Sequence, residues 1–235
     1  MFFNSKRGLV FIILAGIFIT NAVVAELIGG KLIQIGPFIM SIGIIPWPVV
    51  FLATDVINEF YGKKGVRKLS LITAALIAYA FVILFFSLRT KAAGISTVTD
   101  EQFSAVFGQS MWIIAGSITA FLLSQMIDVF IFWMLREKTG GKYIWLRSTG
   151  STVISQLIDT FVVLGIAFWL PGKMSTKVFL NAAFTGYTCK LLIAVALTPL
   201  IYLAHYLINR YLGDEDAHRA VIHSAEESLH HRVSE

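Results

Sequence analysis

Serine, glutamine and aspartate recur in one order at two places in this sequence. They read Ser124-Gln125-Met126-Ile127-Asp128 and Ser155-Gln156-Leu157-Ile158-Asp159. Each copy lies inside a run otherwise apolar enough to cross a bilayer. An aspartate near the middle of a membrane costs about 2.5–3.5 kcal/mol on insertion scales. A chain that meets this cost twice with one pattern is building a polar site in hydrocarbon, as a carrier of a polar small molecule requires. A carboxylate accepts two adjacent N–H donors, and a glutamine amide offers both donor and acceptor. Lys190 is the only basic residue deep in an apolar run. A buried charge is tolerated when paired, so Lys190 is expected to neutralise one aspartate, Asp55 or Asp159.

Helical periodicity brings these groups onto shared faces. Gly116, Ala120, Ser124 and Asp128 fall four residues apart, with Gln125 three before Asp128. Small residues on that stripe let a neighbouring helix approach closely. Ser151, Ser155 and Asp159 repeat the device, with Thr152, Gln156 and Thr160 on the adjacent stripe. Asp128 lies about 12 Å along a helix from Arg136, and Asp159 about 18 Å from Arg147, so both sit well inside the apolar slab. An earlier run adds Thr54, Asp55, Asn58 and Glu59. Glu59 is placed to pair with Lys63 four residues on. The first run adds Asn21, and Glu26 near its outer boundary. The last adds Thr188, Thr198 and a kinking Pro199. Any one of these can be mere hydrogen-bonding glue between helices. Three aspartates, two glutamines and a lysine converging from four runs favour a site, because interhelical hydrogen bonds return only about 0.6 kcal/mol on average.

The elements that must hold these residues are set by composition. The chain has 235 residues, 57% hydrophobic and 14% charged, with a mean hydropathy of +0.77. Soluble domains carry about 25% charged residues. The expectation is an all-α membrane protein in one compact domain over residues 1–212, with a polar cytoplasmic tail over 213–235. Six runs are long enough to span, at roughly 9–28, 43–60, 69–88, 112–135, 151–170 and 184–207. Between the first two, Leu32 to Ile42 is too short and is broken by Gly36 and Pro37. It reads as a re-entrant or extracytoplasmic hairpin, tolerated at membrane depth only against protein or water. Lys6 and Arg7 precede a run too long for a cleaved signal, so it reads as a first span.

Lysine and arginine set the orientation. Thirteen fall on the side of the N-terminus, including Lys63, Lys64, Arg67, Lys68, Arg136, Lys138, Lys142 and Arg147, against five on the other: Lys31, Arg89, Lys91, Lys173 and Lys177. Both termini are therefore expected in the cytoplasm. Trp47, Trp112, Trp145 and Trp169 lie near span ends, as interfacial tryptophans do. The net charge of +5 sits in short loops and gives no reason to expect nucleic acid. Cys189, the single cysteine, excludes an internal disulfide and reads as a small core residue. His218, His223, His230 and His231 match no usual zinc spacing. No metal, cofactor or catalytic group is expected.

The residues that carry these readings also carry a resemblance. Ile45 to Asp55 (Ile-Pro-Trp-Pro-Val-Val-Phe-Leu-Ala-Thr-Asp) resembles the queuosine precursor transporters, also known as vitamin uptake transporters. So do Ser124–Asp128 with Phe130 and Arg136, Ser151–Asp159 with Ala167-Phe168-Trp169, and Tyr187-Thr188-Cys189-Lys190 with Pro199. The likeness runs in order from about residue 9 to 210. It implies import of 7-cyano-7-deazaguanine, 7-aminomethyl-7-deazaguanine or queuine through the inner membrane of a bacterium, for tRNA modification elsewhere. The protein is then no enzyme, binds no nucleic acid itself, and works in the bilayer, alone or as a homo-oligomer. A guanine-like ring edge suits Asp128, Asp159, Gln125 and Gln156, supported by Ser124, Ser155 and Asn21. Trp47 or Phe51 would stack on the ring, Asp55 would serve ligand or gate, and Lys190 would balance charge. The nearest rival is the membrane subunit of an ATP-energised vitamin transporter, but Ala22 and Ala25 have the wrong spacing for its docking stripe. An intramembrane aspartyl protease would need a Gly-x-Gly-Asp, which is missing. A retinal protein would need a seventh span.

Overall fold

The computed structural model describes residues 5–36, 38–108, 111–140, 142–213 and 221–222. Most of the tail, with its four histidines, lies outside these. Helix α1 spans Lys6–Ile28 and starts where the Ser5 hydroxyl accepts the Gly8 N–H. Strands β1 (Leu32–Ile35) and β2 (Phe38–Ser41) follow as an antiparallel pair, with Leu32 opposite Ser41 and Ile35 opposite Phe38. Gly36 turns the chain at φ 57°. A lone two-stranded ribbon is marginal in water. Here the Ile42 N–H donates to the Lys31 carbonyl and the Ser41 hydroxyl to that of Gly29, so the ribbon is lashed to the end of α1. A Cβ on Gly43 would stand 2.9 Å from the Ala25 carbonyl oxygen.

A short 3₁₀ turn (Ile42–Ile44) leads into α2, Trp47–Ser87, with Pro48 in its first turn, where a proline is harmless. The 41 residues of α2 would measure about 62 Å if straight, twice the hydrocarbon thickness. The helix is not straight. Gly62 has φ 76° and ψ 175°, a conformation closed to other residues. Thr54 and Ser70, eight residues to either side, both reach Oε1 of Gln125, at 3.5 and 3.4 Å. The chain doubles back at Gly62, and the second and third expected spans are the two arms of α2. Lys63, Lys64, Arg67 and Lys68, expected in a loop, lie on the first turns of its second arm.

The loop after α2 carries α3 (Asp100–Phe107), opened by a capping box in which Thr99 and Gln102 each bond the other's backbone. Helix α4 spans Met111–Lys138 and α5 spans Ile144–Leu164, ending in a π-helical turn at Gly165–Trp169. A Cβ on Gly116 would lie 3.2 Å from the Val163 carbonyl oxygen and 3.3 Å from the Ala167 nitrogen. That glycine lets α4 and the end of α5 touch backbone to backbone. Helix α6 spans Thr176–Leu212, with Pro199 inside it. Among the described residues, five helical segments are long and apolar enough to cross a membrane. The apolar core joins α1, both arms of α2 and α4 through Phe18, Ile57, Val66, Ile77, Phe121 and Phe132. Large apolar side chains such as Ile13, Phe86, Phe184 and Leu192 face outward, as in a bundle surrounded by lipid.

Candidate functional site

Polar side chains of α2, α4 and α5 meet inside the bundle in three levels along α5. At the level of Arg147, Glu59 of α2 accepts an ion pair from the Arg147 guanidinium at 2.7 Å and lies 3.8 Å from that of Arg136. All three side chains are buried. Arg136 lies over the Trp133 ring and Arg147 near that of Phe132, at 4.6 and 5.7 Å from the ring centres. Arg136 also donates to the Val221 carbonyl. The expected Glu59–Lys63 pair is therefore corrected. Glu59 turns inward to two arginines of other helices, because a buried carboxylate gains more from two planar, always-charged donors than from a solvated lysine.

Over the next two turns of α5, from Ser148 to Gln156, the seam is polar and hydrogen-bonded. The Ser148 hydroxyl donates to Oδ2 of Asp55. The Ser155 hydroxyl donates to Oδ1 of Asp128 at 3.1 Å, so the serine of the second pentapeptide serves the aspartate of the first. The Trp133 indole N–H points at Oδ1 of Asn58 at 3.4 Å. Gln125 receives Thr54 and Ser70, as described. Asp55, Asn58, Ser124, Gln125, Asp128, Ser155 and Gln156 are all buried. Three polar atoms in this layer have no hydrogen-bond partner among the described residues: Oδ1 of Asp55, Nδ2 of Asn58 and Oε1 of Gln156. A buried unsatisfied polar atom costs about 1–3 kcal/mol, and such orphans are rare in native interiors. A narrow cleft between α2, α5 and α6 reaches Asp55, with Ser148, Thr149 and Thr152 as its other polar lining.

At the far level, Lys190 of α6 and Asp159 of α5 pair at 2.6 Å, each about one-fifth exposed. Asp159 is one of the two partners expected for Lys190. Glu26 is buried at the end of α1 and bonds to Ser117 of α4.

The structure thus brings Asp55, Ser124, Gln125, Asp128, Ser155 and Gln156 into one layer, and sets Asp159 with Lys190 apart at its edge. Trp47 stacks on Phe51 and tilts against Phe121, both 5.9 Å between ring centres. Asn21 stays with its own helix, its amide donating to the Ile17 carbonyl. Ser124 likewise donates to the Phe121 carbonyl. Sequence reasoning missed Ser70, Ser148 and the Glu59–Arg136–Arg147 cluster. Ser148 had a signal, since it continues the Thr152–Gln156–Thr160 stripe one turn back. Among the described residues no group of three histidine, cysteine or acidic side chains could hold a metal ion.

The sequence pattern of a family described as "Putative vitamin uptake transporter" matches residues 41–204. A Bacillus subtilis protein named "Probable queuosine precursor transporter" is 30% identical over 180 residues, covering 76% of this chain and 77% of its own. An Escherichia coli "Queuosine precursor transporter" is 28% identical over 174 residues, covering 72% and 74%. A Haemophilus influenzae relative, named like the first, is 28% identical over 160 residues, covering 66% and 63%. No solved structure matches the chain.

Proposed function

This chain belongs to the vitamin uptake transporter family, and from that premise we propose that it carries a queuosine precursor, a 7-deazaguanine base, across the bacterial inner membrane. The observation that carries the reading is the layer of orphaned polar atoms in the middle of the bundle. A guanine-like edge presents two adjacent N–H donors beside a carbonyl. Oε1 of Gln156 and the remaining lone pairs of the Asp128 carboxylate are acceptors for the donors. Nδ2 of Asn58 is a donor for the carbonyl. Trp47 and Phe51 offer an aromatic face beside the layer. Asp159 with Lys190, and Glu59 with its arginines, are closed ion pairs at the two ends. They fit better as seals than as primary ligands.

Uptake of labelled base into a bacterium unable to make its own precursor tests the reading. The wild-type chain is expected to restore uptake, and Asp128→Asn to reduce it at least tenfold while still reaching the membrane. An amide cannot match a charge-assisted hydrogen bond of roughly 1.5–3 kcal/mol. Uptake near wild type in Asp128→Asn would remove Asp128 from the ligand.

The same proposal includes six crossings, with the two arms of α2 counted separately and both termini in the cytoplasm. The thirteen-to-five distribution of Lys and Arg supports it. Reporter fusions at Gly65, Gly141 and the C-terminus are expected to read cytoplasmic, and a fusion at Gly94 external. A cytoplasmic reading at Gly94 would sink the topology.

A further inference from the structure

Among the described residues the buried charged side chains are Glu26, Asp55, Glu59, Asp128, Arg136 and Arg147. Four carboxylates face two guanidiniums, and the half-buried Asp159–Lys190 pair cancels itself. Both guanidiniums are drawn to Glu59. The buried carboxyl groups outside that cluster are Asp55, Asp128 and Glu26. Asp128 has serine hydroxyl donors and Glu26 has Ser117. Asp55 differs. It is 4% exposed, only its Oδ2 is bonded, by Ser148, and its Oδ1 has no partner. A buried charge is stable when paired or when it coordinates a cation.

The surroundings of Asp55 fit the second case. The cleft that reaches it is lined by hydroxyls of Ser148, Thr149 and Thr152, and by no amine or guanidinium. Thr149 is further linked to Thr198 of α6, 3.1 Å between hydroxyl oxygens. One carboxylate and several hydroxyl oxygens form a hard-oxygen donor set, which suits an alkali cation rather than a soft metal. The charged groups acting on Asp55 are Asp128, Arg147 and Glu59. The strongest of the three, Asp128, is a carboxylate and adds to the attraction for a positive ion, while Arg147 opposes it and Glu59 is already paired with arginines.

We propose that Asp55, with the hydroxyls of Ser148, Thr149 and Thr152, forms a sodium site between α2, α5 and α6, beside the base-binding layer. The site rests on the carrier reading only for its use: a sodium ion entering with the base would supply the driving force for uptake. Binding itself needs no base, so it can be tested alone. Purified protein in detergent is heated in sodium chloride and in choline chloride of equal ionic strength. Sodium is expected to raise the unfolding midpoint by about 3 °C or more, saturably, since a ligand bound only to the folded state stabilises it. Asp55→Asn is expected to lose the sodium-dependent part. Thr152→Val, which keeps the shape and removes one oxygen, is expected to raise the half-saturating sodium concentration about tenfold. Three results would each overturn the site: equal midpoints in sodium and choline, a midpoint that follows pH but not sodium, or an unchanged half-saturation in Thr152→Val. A sodium shift without base uptake would refute the assigned base alone.

Discussion

Arg147→Ala is expected to leave little folded protein in the membrane. Arg147 holds Glu59 at 2.7 Å, and both side chains are about 5% exposed. Truncation would remove the 2.7 Å partner of Glu59 and leave the Arg136 guanidinium at 3.8 Å, already engaged with Val221. Removing one partner of a buried ion pair typically costs about 3–5 kcal/mol. Whole folds are stable by only about 5–15 kcal/mol. The yield of monodisperse protein and its thermal midpoint in detergent measure the loss. Pairing Arg147→Ala with Glu59→Gln removes the stranded charge and is expected to recover at least half of the lost stability. A double variant no better than the single one would mean that Arg147 does something other than neutralise Glu59.

Gly62→Val is expected to destabilise by roughly 2–3 kcal/mol, because φ 76° with ψ 175° is essentially reserved for glycine. The effect concentrates at one residue, yet everything beyond it depends on the turn. Only a chain that reverses there can bring both Thr54 and Ser70 to Gln125. Gly186→Ala provides the comparison. Its added Cβ would meet only Thr160 Cγ2, at an ordinary 3.8 Å, and a helical alanine is favoured over glycine. Its midpoint is expected to equal or exceed wild type. If Gly62→Val melts with Gly186→Ala, the reversal does not depend on that glycine.

The sequence made the membrane class, the apolar helical runs and the polar seam between them legible, for a shared reason: apolar runs and interrupting polar residues are local signals. Asp128, Gln125, Ser155 and Gln156 fall on helical stripes that three- and four-residue spacing reveals. The ends of elements were harder. Helix α6 starts at Thr176 rather than near 184, and α5 at Ile144 rather than 151, because helices continue through the interface where hydropathy has already fallen. The Glu59–Arg136–Arg147 cluster was illegible for a deeper reason. A charge at the end of an apolar run looks solvated, and only packing of α2 against α4 and α5 shows that it is not. Helix α3 had a readable start in Thr99-x-x-Gln102, and was missed because it is short and polar.

Helix α6 is held differently from the rest. Only 11% of its apolar stretch is buried against protein, compared with 44% of that containing α4. Pro199 removes one hydrogen bond from its own ladder. Its polar ties are two, Lys190 to Asp159 and Thr198 to Thr149, while its apolar ones gather toward its ends, where Phe179 and Phe184 meet Phe161 and Leu212 packs with Val10, Val56 and Phe60. Local opening free energy follows the density of buried contacts, so the middle of α6 is expected to open more readily than the core of α2 and α4. Movement of its middle would break the Lys190–Asp159 and Thr198–Thr149 ties and open the cleft that reaches Asp55.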